Sequence, residues 1–339
     1  MEGVPSAANP CGWPDEVMAV LGRAITVEFA TLTRAGSPVT IPTTPYLGTE
    51  ARTLDISTGL TYPAKAERAR RDPRVALLYA DPVGSGLDRA PVVLVQGLAT
   101  VRDSDLQGNT DRYVRISQEK LPDATKGQPR AVLRRLAWYF TRIWVEVTPL
   151  HMRWWADRAL GDAPRTWDAP EGTAAPLSDP APGGKQPGPW AEPPTSWRKV
   201  AEEATVRLGL HDLSVTAPNG FPCCFPVHHT ELTPDGFRLV VGEGAPTVSP
   251  GPACLTMHTH PERFTSQENR TFVGSVDAVD GTVLTFRAQR ALADWSLSGG
   301  KVRLAAGFLA QGRRLGPRLR VEVGRRSQAV PKVRFPGEY

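Results

Sequence analysis

The chain has 339 residues, 40% of them hydrophobic and 22% charged, which suits a globular protein large enough for two domains of ordinary size. Its formal charge of +5 is spread among acids, with no dense Lys/Arg run carrying interleaved aromatics, so a nucleic-acid surface is not expected. No stretch of eighteen apolar residues is present to cross a membrane, and four cysteines without a CxxC pair make neither a disulfide framework nor a zinc knuckle.

The opening "MEGVPSAANPCGWPDEV" carries an early acid and prolines but no hydrophobic core; it does not read as a secretory signal, and a cytoplasmic protein is expected. "DEVMAVLGR" then has the spacing of a short amphipathic helix, and "ATLTRAGSPVTIPTTPY" reads as β-strand about a Gly36-Ser37-Pro38 turn. "LDIS" is a further strand, "STGL" a turn rich in hydroxyls, and "AKAERARRD" a two-turn basic helix stopped by Pro73. Apolar strands follow in "VALLYADP" and "VVLVQGLATV" (92–101). After them come helical segments around 105–120 and 128–140, a closing strand "RIWVEV", and the tryptophan-rich "HMRWW" (151–155).

Residues 158–195 lose all periodicity to proline, glycine, alanine and small polar residues, the composition of a linker. Beyond it the order repeats. "WRKVAEEATVRLGLHDLSVTAPNGFPCCFP" restates the helix and the strands about a Gly-x-Pro turn, here Gly220-Phe221-Pro222. "CLTMHTHP" answers "VALLYADP", "FVGSVDAV" answers "LVQGLATV", and "RLRVEV" answers the closing "RIWVEV". A β-run at 282–292 follows the Asp280-Gly281 turn, and a short helix is expected around 298–311. So long a period is a duplicated domain rather than a solenoid. The expected organisation is a barrel over 12–157, a Pro/Gly-rich linker over 158–195 and a second barrel over 196–339. Many short strands with few helices make the fold class mainly β, with one antiparallel barrel in each half.

The stretch "ISTGLTYPAKAERARRDPRVALL" (56–78) holds the pattern with most chemistry in it. Lys65 lies close to the N-terminus of the basic helix, where unpaired N–H groups and the positive end of the helix dipole favour a phosphate. Ser57 and Thr58 are in reach of the same end, and Arg68 follows Lys65 by one turn on one face. Against this stands the ordinary reading of a basic helix as a solvated surface.

Taken together, "ATLTRAGSPVTIPTTPY", "LDISTGLTYPAKAERARRDPRVALLYADP" and "VVLVQGLATVRD", in that order and spacing, resemble the pyridoxamine 5′-phosphate oxidase-like split β-barrels, which include flavin- and deazaflavin-dependent reductases. The resemblance covers about residues 15–155 well and the second half as a degenerate echo. It implies paired split barrels with a flavin-type cofactor, FMN or a deazaflavin coenzyme, in the groove between them. By the same resemblance the strand backbone at Thr40, Ile41, Pro42 and Thr43 contacts the ring, while Ser57, Thr58 and Lys65 grip the phosphate. Arg68 and Arg74 are lesser phosphate candidates. Gln96 matches the glutamine of the later strand, and Trp154 and Trp155 fall where the ring edge or substrate is shaped, or else pack in the core. No catalytic acid–base pair is identified; hydride chemistry belongs to such a cofactor.

In the second half, "VVGEGAPTVSPGPACLTMHTH" stands where the first has its basic helix, so one phosphate cradle per chain is expected. That half carries instead "PCCFPVHH" and "CLTMHTH", whose Cys223, Cys224, Cys254, His228, His229, His258 and His260 are of metal- or haem-ligating type. No metal is assigned from the spacing, which suits strand faces; His228, His258 and His260 are its weaker candidates. The resulting reading is an FMN- or deazaflavin-dependent oxidoreductase acting on a small organic substrate. The alternative is a non-catalytic haem- or flavin-binding split barrel. Deazaflavin's acidic tail would suit Arg68, Arg70, Arg71 and Arg74. Neither nucleic acid nor membrane is an expected partner, and fusion of two barrels removes the need for a homodimer without forbidding one.

Overall fold

A computed structural model describes residues 11–124, 126–293, 296 and 301–337 of the chain. The first ten residues of the leader read above therefore lie outside the described residues. The first half runs α1 (Asp15–Arg23), β1 (Val27–Leu32), β2 (Pro38–Thr43), β3 (Pro45–Leu47), β4 (Leu54–Gly59), α2 (Ala64–Arg71), β5 (Arg74–Tyr79) and β6 (Val92–Arg102). It continues with α3 (Leu106–Lys120), α4 (Arg130–Leu133), α5 (Ala137–Phe140), β7 (Arg142–Trp155) and β8 (Arg165–Asp168). The second half runs α6 (Trp197–Arg207), β9 (Leu210–Thr216), β10 (Pro222–Pro226), β11 (His229–Thr233), β12 (Gly236–Val240), β13 (Gly251–Thr259), β14 (Glu268–Asp280), β15 (Val283–Ala291) and α7 (Lys301–Arg325).

The duplication is explicit in the sheets. One has the order β2-β1-β5-β6-β7-β4-β3, with β8 added to β7; the other has β10-β9-β13-β14-β15-β12-β11, the same path strand for strand. Both Gly-x-Pro turns are built alike. Gly36 and Gly220 take φ of +75° and +80°, and each donates its N–H three residues back, to Thr33 and Ala217. Each half is a curled antiparallel sheet of split-barrel type.

Where the two halves meet, the packing is nearly two-fold. β2 lies against β9, β13 and β14, and its counterpart β10 lies against β1, β5 and β6. The β10 side is apolar: Ala30, Ala76, Leu78 and Leu94 share a buried cluster with Cys223, Cys224 and Phe225. The β2 side is polar. Thr40 Oγ1 and Ser214 Oγ share a hydrogen bond of 2.6 Å, and Thr40 O accepts from Thr256 Oγ1 at 3.2 Å.

Three expectations need correction. The segment "RLRVEV", read as the closing strand of the second half, is helical and lies inside α7. Its burial shows why: Leu315, Leu319 and Val323 are buried at i, i+4, i+8, whereas Val321, which a strand would place on the face of Val323, is 48% exposed. The strand that closes the second sheet is β15. Of the short helix expected at 298–311, residues 298–300 lie outside the described residues; from Lys301 the helix runs on to Arg325. Rather than capping its own half, α7 sets Leu315, Leu319 and Val323 into the core of the first barrel beside Trp138 and Phe140. The helix expected around 128–140 is two short pieces, α4 and α5.

The Pro/Gly-rich segment is laid down along the first barrel. Val101 N donates to Ser178 Oγ at 2.9 Å, and Asp179 Oδ2 accepts from the N–H groups of Asp103 and Ser104 at 2.7 and 2.8 Å. These contacts satisfy backbone groups at the end of β6 that would otherwise need water.

Candidate anion-binding site

β4 delivers the chain to the site. Leu60 N donates to Thr141 O at 2.9 Å and Tyr62 N to Gly59 O at 2.8 Å, which turns the backbone into Pro63, the N-cap of α2. Proline suits this place because no N–H is needed there. Ala66 and Ala69 form the buried face of α2, so Lys65 and Arg68, one position earlier each, share the flank beside it.

Lys65 Nζ donates to Thr58 Oγ1 at 3.2 Å, and Thr58 Oγ1 donates to Tyr62 O at 3.2 Å. Arg68 Nε donates to Thr31 Oγ1 at 2.8 Å. A third cation, Arg142, opens β7 opposite Gly59 and stacks its guanidinium on Tyr113 and Tyr139, 3.9 and 4.6 Å from the ring centroids. Its Nε is buried without a hydrogen-bond partner. Among the described residues no carboxylate pairs with Lys65, Arg68 or Arg142. Burial, with Arg68 and Arg142 adding their charge, brings the Lys65 pKa down to about 7. Arg68 falls to about 10 by burial, the charge of Arg71 adding to it.

This lack of acids is local. Arg70 pairs with Asp103 at 2.8 Å, and Arg74 with Asp72 at 2.7 Å. Arg71 donates to Leu32 O at 3.2 Å. Three cations gathered without a counter-charge are costly unless an anion joins them. One ammonium and two guanidinium groups beside a helix N-terminus are donors of the kind that suit a phosphate.

The other residues singled out from the sequence fall in different places. Ser57 and Thr58 both lie within β4 rather than in a turn, so their side chains leave opposite faces of the sheet, and only Thr58 meets Lys65. Thr43 reaches Ser57 O at 3.5 Å, which brings the end of β2 beside β4. Thr40 is buried in the interface: its N–H points at Cys254 Sγ, 3.5 Å away. Alternate residues of an antiparallel strand share an edge, so the N–H next in line would be that of Pro42, which has none. Ile41, Pro42 and Thr43 remain partly exposed. Gln96 is buried, donating to Pro222 O at 2.8 Å and accepting from Asn219 Nδ2 at 3.1 Å. Trp154 is core, bonded to Glu16 Oε1 at 2.8 Å, at the end of β7 remote from Arg142. Trp155 donates to Gly244 O at 2.8 Å.

In the second half His258 Nε2 lies 2.7 Å from Glu28 Oε1, His260 Nε2 lies 2.8 Å from Asp81 Oδ2, and His228 Nε2 meets Arg158 O at 2.8 Å. Burial pushes the thiols of Cys223 and Cys254 up to about 12 and about 11, and that of Cys224 up as well, so none is a ready thiolate. Sequence reading passed over Arg142, whose place depends on the β4–β7 register. It also passed over Glu28 and Asp212, although an acid inside each of the apolar runs "ITVEFATL" and "LHDLSV" was a visible signal.

The chain is a tandem split barrel. Solved structures similar to it include an F420 reductase, at 18% identity and a TM-score of 0.31, covering 40% of this chain and 93% of that one. Another is a pyridoxamine 5′-phosphate oxidase-related, FMN-binding protein from Nostoc punctiforme, at 16% identity and 0.30, covering 42% and 83%. A third is a conserved hypothetical protein from Mycobacterium tuberculosis, at 17% and 0.34, covering 52% and 98%. No family model matches the chain, and no curated protein matches it. Among the described residues no helix is long and apolar enough to cross a membrane.

Proposed function

We propose that the chain binds one flavin-type cofactor, FMN or a deazaflavin coenzyme, by its phosphate at Lys65, Arg68 and Arg142, and acts as an oxidoreductase on a small organic substrate. The observation that carries this reading is the group of three cations with no acid among them, one with an orphaned buried Nε. Thr58 orients Lys65 by accepting one hydrogen bond from it, which leaves the ammonium's other two N–H groups for a phosphate oxygen. Arg142 is held flat by Tyr113 and Tyr139, so its guanidinium is fixed before any ligand arrives.

When bound, a flavin supplies hydride transfer; the protein supplies position and electrostatics. The ring end would rest on Ile41, Pro42 and Thr43, since Thr40 and Gln96 are already bonded to the second half. With Arg70 and Arg74 neutralised by Asp103 and Asp72, fewer charges are left for a polyacidic tail than the sequence promised, which favours FMN of the two. The haem reading is weaker. His258 and His260 face carboxylates, and His228 meets a carbonyl.

Titration of the full chain with FMN and with the deazaflavin coenzyme, followed by absorbance and fluorescence, tests the proposal. Saturation at one equivalent by either cofactor is expected. A protein that neither titrates would remove the reading, and a second equivalent would remove the single cradle.

A further inference from the structure

We propose that Glu28, Asp212 and His258 form a divalent-metal site that ties the two barrels together. Glu28 comes from β1 of the first half, and Asp212 and His258 from β9 and β13 of the second. One ligand atom from each lies within 4.8 Å of the other two. His258 Nε2 is 2.7 Å from Glu28 Oε1 and 3.6 Å from Asp212 Oδ2. Oxygen and nitrogen ligands bound about 2.0–2.2 Å from one ion stand roughly 3–3.5 Å from each other, so the three atoms need little adjustment to close on a metal.

Direction matters as much as distance. Glu28 Oε1 and Oε2, Asp212 Oδ2 and His258 Nε2 are all buried, and none makes a hydrogen bond of acceptable geometry. His258 Nε2 thus lies within ion-pair distance of both carboxylates while lone pairs on Glu28 and Asp212 stay uncommitted, a set that a cation among them would take up. The three side chains are 0 to 3% exposed, so they are shut off from bulk solvent. Asp212 is oriented from behind, its Oδ1 accepting from Arg158 Nη2 at 3.3 Å, the kind of outer contact that holds a ligating carboxylate in place. The neighbouring Asp81–His260 pair, at 2.8 Å, adds a further acid to the same interior.

The duplication accounts for a single site. Glu28 pairs across to Pro42 and Asp212 to Pro226, at matching positions of the two sheets, so the carboxylates are repeat equivalents drawn together at the pseudo-two-fold. The imidazole has no such twin: in the β5–β1 ladder of the first half its place falls on Ala80. Two carboxylates and one imidazole with no thiolate suit a first-row divalent ion such as zinc, manganese or iron(II).

Metal analysis of the full chain purified without chelator, and titration with Zn²⁺ and Co²⁺ after EDTA treatment, decide the matter. The expected result is about one equivalent per chain. Co²⁺ should give visible d–d bands without a thiolate charge-transfer band, and Glu28→Gln and His258→Gln should each weaken Zn²⁺ binding at least tenfold with far-UV circular dichroism unchanged. If either variant fails to fold, the metal content and Co²⁺ spectrum of the unmodified chain still decide. Less than a tenth of an equivalent with no Zn²⁺-dependent rise in thermal midpoint, a thiolate band, or full binding in both variants would each overturn the proposal.

Discussion

At the end of β4 in one half and of β12 in the other, the same backbone geometry leads to opposite outcomes. Leu60 N donates to Thr141 O and Val241 N to Thr282 O, both at 2.9 Å, so the two turns correspond. In the first half the chain then enters α2, which brings Lys65 and Arg68 to the side where Arg142 of β7 also lies, with no carboxylate paired to any of them among the described residues. In the second it enters Gly242-Glu243-Gly244 and is covered by the start of the Pro/Gly-rich segment. Gly244 N donates to Leu160 O at 2.7 Å, and a Cβ at Gly244 would stand 1.8 Å from Asp162 O. The second half has thus lost its basic helix and gained a plug. Of two equivalent turns, one carries the cation group and the other a seam with the Pro/Gly-rich segment.

The largest effect should come from the plug. Leu160 is fully buried, at 0% exposure, within the core of the second half. Leu160→Ala should cost about 2–5 kcal/mol, read as a lower urea midpoint at unchanged slope. It should not raise cofactor stoichiometry above one, because emptying the space restores no lysine. A second bound equivalent in this variant would show that the plug, not the missing cations, silenced the second site.

Next is the cradle. Lys65→Ala removes one charge-assisted contact and should weaken FMN binding roughly 10- to 100-fold, with Arg142→Gln in the same range. Each is read by fluorescence titration. Because both cations address one anion, the double variant should lose less than the sum. Full affinity in Lys65→Ala would place the phosphate elsewhere.

Much of this was legible in the sequence, for local reasons. The helix–strand–turn order repeats in composition, so the duplication and the Gly-x-Pro turns could be read from residue types alone. Lys65 could be placed because a helix start is a local feature. What could not be read depended on register or on the other half. Arg142 meets the site only because it pairs opposite Gly59. Gln96 and Thr40 hydrogen-bond to the second barrel, a contact that no local pattern announces. "RLRVEV" misled through strand-like alternation, when the apolar positions spaced by four from Leu315 onward were the stronger signal.

A smaller effect tests the turns the halves share. Gly36→Ala places a side chain at φ +75° with nothing within 4 Å of its Cβ, so only backbone strain of about 1–2 kcal/mol is expected. Gly220→Ala carries the same strain at φ +80°, and its Cβ would also meet Arg74 Nη1 at 2.4 Å. Urea denaturation should find Gly220→Ala the worse of the two. Equal losses would mean that Arg74 moves aside freely.

The smallest effect on binding is a pH dependence set by Lys65. The Lys65 pKa, about 7 against an ordinary 10.5, means that the unfolded chain holds this proton more tightly than the folded one. Lys65 therefore contributes a stability to the cofactor-free protein that rises with pH between about 7 and 10.5, read as the difference between the unmodified chain and Lys65→Ala, and the cost of its charge is fully present below that window. Binding runs the other way, because a phosphate favours the ammonium and must recover its proton. From pH 7 to pH 8 the protonated fraction falls from about one half to about one tenth, so FMN affinity should drop about fivefold with proton uptake on binding. The phosphate itself, with a second pKa near 6, changes little over that interval. Calorimetry in buffers of different ionisation enthalpy reads the proton directly. Lys65→Ala should bind weakly but with no slope over the same interval; a slope that survives the substitution would assign the titration to another group.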